Sequence, residues 1–358
     1  MSQTCHSQRG HQIVAQYLGV DLACGEGSAS KVAKETGLVC VDESGKVLDA
    51  GWARGIDAVV QWLGDTARPG DLIAIDAPLV VFNETGMREC ERQVAQRYGR
   101  WQVYANPSNL GRPWMGGVTL RKRLEELGFV YSSGDAADPD VVTFFECYPY
   151  TTLVGAFEFG YDIERPRYKR FNNALANVVA KRAFRASECD ELLRRMATMP
   201  SATPPLDLAS HPVTSELIAE SSPLSDIPYK HREDLLDAAL CAWTAALWHQ
   251  FGEERCQVLG LDELPDPDGR VPVIIAPARP EQRADFPRKP SRARSSSSPT
   301  ATDLVRESTR LLGGAANLAG DVTDFAYARL GLLAALDDLE TRAIAPSRVE
   351  VNARELDS

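Results

Sequence analysis

A chain of 358 residues can bury one sizeable core with an appendage, or two smaller cores. Hydrophobic residues at 44% and charged residues at 25% are ordinary for a soluble globular protein and exclude disorder of the whole chain. A net charge of −11 excludes nonspecific coating of nucleic acid by overall charge and leaves only local basic patches for that purpose.

No apolar run approaches the ~20 residues needed to cross a bilayer, and the opening MSQTCHSQRGHQ has no apolar signal core, so no membrane partner and a cytoplasmic location are expected. The eight cysteines are scattered without a CxxC pair, which suggests neither zinc nor a compact disulfide framework. Small buried hydrophobes are their expected role.

QYLGVDLA, from Gln16, is a short apolar run that reads as a strand with Asp21 at its end. TGLVCVDESGKVLDAGWA reads as a hairpin, because two extended runs flank the turn-forming Asp42-Glu43-Ser44-Gly45. Three antiparallel strands therefore open the domain. In IDAVVQWLGDTA, Ile56, Val59, Val60 and Leu63 fall at helical spacing, and the helix stops before Pro69-Gly70. DLIAIDAPL is a continuous apolar strand of the kind buried on both faces, with Asp76 at its carboxyl end.

Residues 87–127 are mostly helical in pattern, broken by an Asn-, Pro- and Gly-rich loop over 106–117. VVTFFECYPY is the last well-marked strand, with Glu146 near its end and Pro149 stopping it. Residues 199–228 carry many Pro, Ser and Thr and read as a long connection. HREDLLDAALCAWTAALWHQ then reads as an amphipathic helix with Leu236, Leu240, Trp243 and Leu247 on one stripe. VIIAPA near Ile274 reads as an edge strand, and PRKPSRARSSSSP as a flexible basic linker.

The expected layout is a flexible N-terminus over 1–16, an α/β domain over 17–278, a linker over 279–302, a helical hairpin over 303–342 and a tail over 343–358. The hairpin is read as a surface for self-association or a protein partner, against packing back on the main domain. No internal repeat is visible.

Two stretches are basic. Between Arg88 and Arg123 eight Lys or Arg face Glu89 and Glu91, and between Arg165 and Arg195 nine face three acids. Each reads either as a nucleic-acid contact or as a solvated helix face.

The order strand, strand, strand, helix, strand, helix, strand, helix carries Gly19-Val20-Asp21, Ile75-Asp76-Ala77-Pro78-Leu79, RECE over 88–91, Glu146-Cys147-Tyr148-Pro149, Tyr168-Lys169, and His231-Arg232-Glu233-Asp234-Leu235-Leu236-Asp237-Ala238. These separated motifs resemble the RNase H-like superfamily and, within it, the group catalogued as domain of unknown function 429, described as predicted nucleases. The resemblance implies an RNase H-like mixed sheet, a three-stranded antiparallel start plus parallel strands, flanked by helices and followed by a C-terminal helical extension. It also implies a metal-dependent nuclease or related phosphodiester hydrolase, with two ions about 4 Å apart supporting in-line attack.

The residues make part of that case themselves. Asp21 and Asp76 end hydrophobic strands, a costly place for a charge without a cation or donor. Parallel neighbours would bring those ends together at the carboxyl edge of the sheet. Asp234 and Asp237, three apart on a helix, share a face. Clustered carboxylates repel, a divalent ion holds them ionised, and oxygen-only ligation favours Mg²⁺ or Mn²⁺.

Asp21, Asp76 and Asp237 are therefore the expected metal ligands, with Glu146 and Asp234 the next catalytic candidates. Glu146 either ligates metal or hydrogen-bonds near Tyr148. Arg88 and Lys169 suit phosphate, unless they are simply solvated. His231 suits positioning of a water or metal, or a capping role. Tyr98, Trp101, Tyr104 and Trp114 interleave with the first basic stretch as stacking platforms would, or as core.

Two rival readings stand beside the nuclease. Asp21 to Ser28, with Gly25 and Gly27, resembles in composition the phosphate hairpin of kinase-like ATPases, but IDAPL is no second phosphate loop. A non-catalytic scaffold that recruits partners is the other, and retention of Asp21, Asp76, Asp234 and Asp237 weighs against it.

Overall fold

Short apolar runs bounded by turn residues become the strands Gln16–Asp21 (β1), Glu35–Asp42 (β2) and Val47–Arg54 (β3). Asp42 closes the hairpin, its Oδ1 accepting from the amides of Ser44 at 2.9 Å and Lys46 at 3.0 Å. The computed structural model describes residues 15–23, 32–112, 115–135 and 138–286.

Ile56–Thr66 (α1), Leu72–Asp76 (β4), Glu89–Tyr98 (α2), Gly116–Glu126 (α3), Val130–Tyr131 (β5) and Thr143–Glu146 (β6) follow. The six strands form one sheet in the order β3-β2-β1-β4-β6-β5, antiparallel from β3 to β1 and parallel from β1 to β5. This is the mixed α/β sheet expected from the sequence. The two-residue β5 is too short to show periodicity, and the expected reading omits it. Pro149 does more than stop a strand: it opens the helix Pro149–Gly155 (α4), where its missing N–H costs nothing.

Val178–Met196 (α5) buries Cys189, Leu192, Leu193 and Met196. The expected long connection over 199–228 contains the helix Pro212–Ala219 (α6), started by Pro212 and by His211, whose Nδ1 accepts from the Val213 amide. Asp226–Phe251 (α7) then crosses the sheet, packing on β1, β2 and β4, with α4 and α6 against it. Arg232 to Trp248 are all buried, so α7 is enclosed on every side rather than amphipathic. Cys256–Leu259 (β7) and Ile274–Pro277 (β8) pair antiparallel as a separate small sheet, so VIIAPA is an edge of that ribbon. Burial continues past residue 278, through Arg279 and Gln282.

One face of the large sheet makes a hydrophobic core with α1 and α3. Leu18, Val20, Leu38, Ile73, Ile75 and Phe144 pack with Val59 and Leu63 of α1 and with Leu120 and Leu124 of α3. The chain divides into residues 1–169 with 188–287, and residues 170–187 with 288–358. In the second of these, Arg185 lies over the Phe171 ring at 4.6 Å. The expected helical hairpin over 303–342, the tail, and most of the N-terminus and linker lie outside the described residues. Among the described residues no helix is long and apolar enough to cross a membrane.

Candidate metal centre

β1 and β4 run parallel with Asp21 opposite Asp76 in register. Side chains alternate between the faces of a strand, and Val20 and Ile75 enter the core under α1 and α3. Asp21 and Asp76 therefore project from the other face, the one α7 covers. The helix can come close because the strands lack side chains where it crosses. A Cβ on Gly19 would lie 1.9 Å from the Ala238 carbonyl oxygen, and one on Gly37 2.0 Å from that of Asp234. Asp234 and Asp237, one turn apart, descend beside Asp21.

Asp21, Asp76 and Asp237 each offer an oxygen, and these atoms lie within 4.8 Å of one another. Asp237 is fully buried. The Tyr168 hydroxyl donates to its Oδ1 at 2.5 Å, and the Tyr229 hydroxyl donates to the Tyr168 carbonyl at 2.7 Å, which fixes that segment. Asp237 Oδ2 lies 2.8 Å from Lys169 Nζ, an ion pair without hydrogen-bond geometry, and accepts no hydrogen bond. Lys169 also lies 3.5 Å from Asp76 Oδ2, with its ammonium 5.2 Å from the centre of the Tyr150 ring.

Asp234 and Asp21 crowd one another, which raises the cost of a charge on Asp234. Lys230, whose side chain is 56% exposed, reaches down to this pair: its Nζ is 2.6 Å from Asp234 Oδ1, 2.9 Å from Glu233 Oε1 and 4.0 Å from Asp21 Oδ2.

The electrostatics follow from crowding. Burial pushes the Asp237 carboxyl up to about 8 against the pull of Lys169, with Asp21 adding to the rise. Burial and the Asp21 charge push Asp234 up to about 8 against Lys230. Asp76 rises to about 6 by burial, with Lys169 opposing and Asp21 reinforcing. Burial disfavours the Lys169 ammonium, but Asp237, Asp76 and Asp21 outweigh it and hold its pKa well above the ordinary lysine value. The carboxylates are thus short of positive charge even with both lysines present.

Glu146 does not join them. It pairs in register with Ile75 and shares the parity of Phe144, so its side chain leaves the sheet on the opposite face. There Arg88 donates to Glu146 Oε2 at 2.8 Å and Oε1 at 2.6 Å, and the Leu79 amide donates to Oε2 at 2.9 Å. Arg88, buried and also bonded to Glu91 at 3.0 Å, is committed to this network and unavailable to a phosphate.

His231 lies toward β2 and β3 rather than among the aspartates. Its ring stacks on Trp52 at 3.6 Å and its Nδ1 meets Glu35 Oε2 at 2.7 Å. Tyr98 and Trp101 are buried core, Tyr104 is exposed, and Trp114 lies outside the described residues. In the first basic stretch Arg88, Arg92, Arg121 and Arg123 are each ion-paired, while Arg100, Arg112 and Lys122 are exposed. The segment Gly25-Glu26-Gly27-Ser28 of the kinase-like reading also lies outside the described residues.

Lys230 escaped the sequence reading, and Glu233 and Tyr168 entered it only within motifs. Lys230 stands four residues before Asp234, a helical spacing that was available as a signal. The donor set suits a hard divalent ion: three carboxylates converge, and together they outnumber the lysine beside them.

The family model described as Protein of unknown function (DUF429) matches residues 19–263, a span that takes in each of these site residues from Asp21 to Asp237. No curated protein and no solved structure matches the chain. With well over half its length matched, the chain belongs to the DUF429 family.

Proposed function

We propose that the protein is a metal-dependent hydrolase of phosphodiesters in nucleic acid, working through Mg²⁺ or Mn²⁺ held by Asp21, Asp76 and Asp237. The observation that carries this reading is the convergence of Asp21, Asp76 and Asp237, whose oxygens lie within 4.8 Å of one another at the end of two buried strands. Lys169 at 2.8 Å from Asp237 Oδ2 balances only part of that charge.

A divalent ion bound there supplies Lewis acidity toward a phosphoryl oxygen and eases loss of a proton from an attacking water. The chain supplies the rest. Asp21 and Asp76 are fixed by strand register, and Asp237 by the Tyr168 hydroxyl on Oδ1, which leaves Oδ2 for the ion. Lys169, only 18% exposed, presents a point charge at the margin of the site for a phosphate oxygen.

The ion pair of Lys169 with Asp237 at 2.8 Å supports a second reading, a non-catalytic scaffold whose acids are neutralised by its own lysines. Calorimetric titration of Mn²⁺ into the wild type and Asp21→Asn, followed by incubation with labelled single- and double-stranded DNA and RNA, separates the two. Binding and cleavage lost together in the variant support the hydrolase. A wild type that binds no metal removes it and leaves the scaffold.

A further inference from the structure

Lys230 stands where a second cation would stand. Beside the oxygens of Asp21, Asp76 and Asp237 lies another acidic group, made by Asp234, Glu233 and Asp21, and the Lys230 ammonium stands 2.6 Å, 2.9 Å and 4.0 Å from these three carboxylates in that order. Asp21 belongs to both groups, whereas Asp234 lies outside the three-oxygen cluster. Lys169 borders the first group from one side, near Asp237 and Asp76, whereas Lys230 sits among all three carboxylates of the second.

We infer that the centre takes a single divalent cation and that Lys230 serves as its built-in second positive charge, lodged between Asp21 and Asp234. The inference rests on the reading that Asp21, Asp76 and Asp237 hold a divalent ion. Lys230 rises from the same helix as Glu233 and Asp234, so a free ion competing for its place faces a tethered rival whose effective concentration is of order millimolar or higher. Among the described residues five carboxylates (Asp21, Asp76, Glu233, Asp234, Asp237) face two ammonium groups, Lys169 and Lys230. One divalent ion leaves a single negative charge, and a second reverses the sign unless Lys230 leaves. Lys230 is also more than half exposed, so its outer side meets an anionic substrate entering from solvent.

Mn²⁺ titration followed by calorimetry and electron paramagnetic resonance tests this on the full chain. The wild type should take up one ion and give the spectrum of isolated Mn²⁺. Lys230→Met should take up a second ion and show the broadened signal of two coupled ions about 4 Å apart. Lys230→Arg, which keeps the charge, should again bind one. Two ions in the wild type, or a single ion in Lys230→Met with an unchanged thermal melt, would overturn the inference while leaving the metal reading intact. A wild type that binds none would remove the metal reading itself, and this inference with it.

Discussion

Gly19→Ala tests whether the approach of α7 to the sheet builds the metal centre. The added Cβ would sit 1.9 Å from the Ala238 carbonyl oxygen and 2.3 Å from the Ala242 amide nitrogen, both backbone atoms that cannot swing aside. Ordinary contact begins near 3.4 Å, so strand and helix must separate by roughly 1.5 Å. Overpacking in a well-filled core costs about 1–3 kcal/mol, and a clash with helix backbone belongs at the upper end. Metal ligands tolerate only about 0.2 Å of error, so the same displacement carries Asp237 out of range of Asp21. Gly51→Ala is the matched control, since nothing lies within 4 Å of its Cβ. Urea denaturation should show Gly19→Ala destabilised by about 3 kcal/mol and Gly51→Ala within about 0.5 kcal/mol of the wild type. Mn²⁺ binding should be lost in Gly19→Ala alone. A Gly19→Ala protein with wild-type stability and wild-type Mn²⁺ affinity would refute the reasoning.

Tyr168→Phe removes the donor to Asp237 Oδ1, and Mn²⁺ affinity by calorimetry should fall about 10- to 100-fold, the usual loss for a partner that orients a ligand. Arg88→Met leaves Glu146 buried and uncompensated, so chemical denaturation should show a loss of about 3–5 kcal/mol. Glu146→Gln added to it should restore part of that loss, and Mn²⁺ affinity should stay unchanged in both because the pair lies on the other face of the sheet. Asp234 and Asp237 keep protons in the folded chain up to about pH 8 that the unfolded chain sheds near the ordinary carboxylate value. Their contribution to metal-free stability is therefore complete below about pH 4 and lost as pH rises to about 8, visible as a falling denaturation midpoint. Mn²⁺ needs those oxygens deprotonated, so its affinity should rise across the same interval.

The three clustered aspartates were legible because each is a charge placed where charge is expensive. Asp21 and Asp76 are the first acids after unbroken apolar strands, and Asp237 sits between Leu236 and Ala238. Glu146 met the same test and went elsewhere. Being near a strand end does not reveal which face a side chain leaves by, and the register of Ile75 with Glu146 comes from tertiary pairing. Arg88 shows the matching limit of charge patterning, which cannot tell a solvated arginine from one sealed against two glutamates. The apolar stripe on α7 was real but incomplete, because what covers its far side is supplied by α4 and α6. β5, with two residues, is too short for any period to register, and α6 was masked by the Pro and Ser around it.

The enclosed last helix also sets a schedule. Asp21 and Asp237 are separated by more than two hundred residues, and the sheet edge they share is finished only when α7 settles onto the bare backbone at Gly19 and Gly37. At about 5–20 residues per second, a ribosome makes that helix about 10–40 s after the first strand. For that interval the emerging polypeptide carries Asp21 and Asp76 without the helix that brings Asp237 to them. The carboxylate cluster therefore assembles in one step, at the closing of the fold.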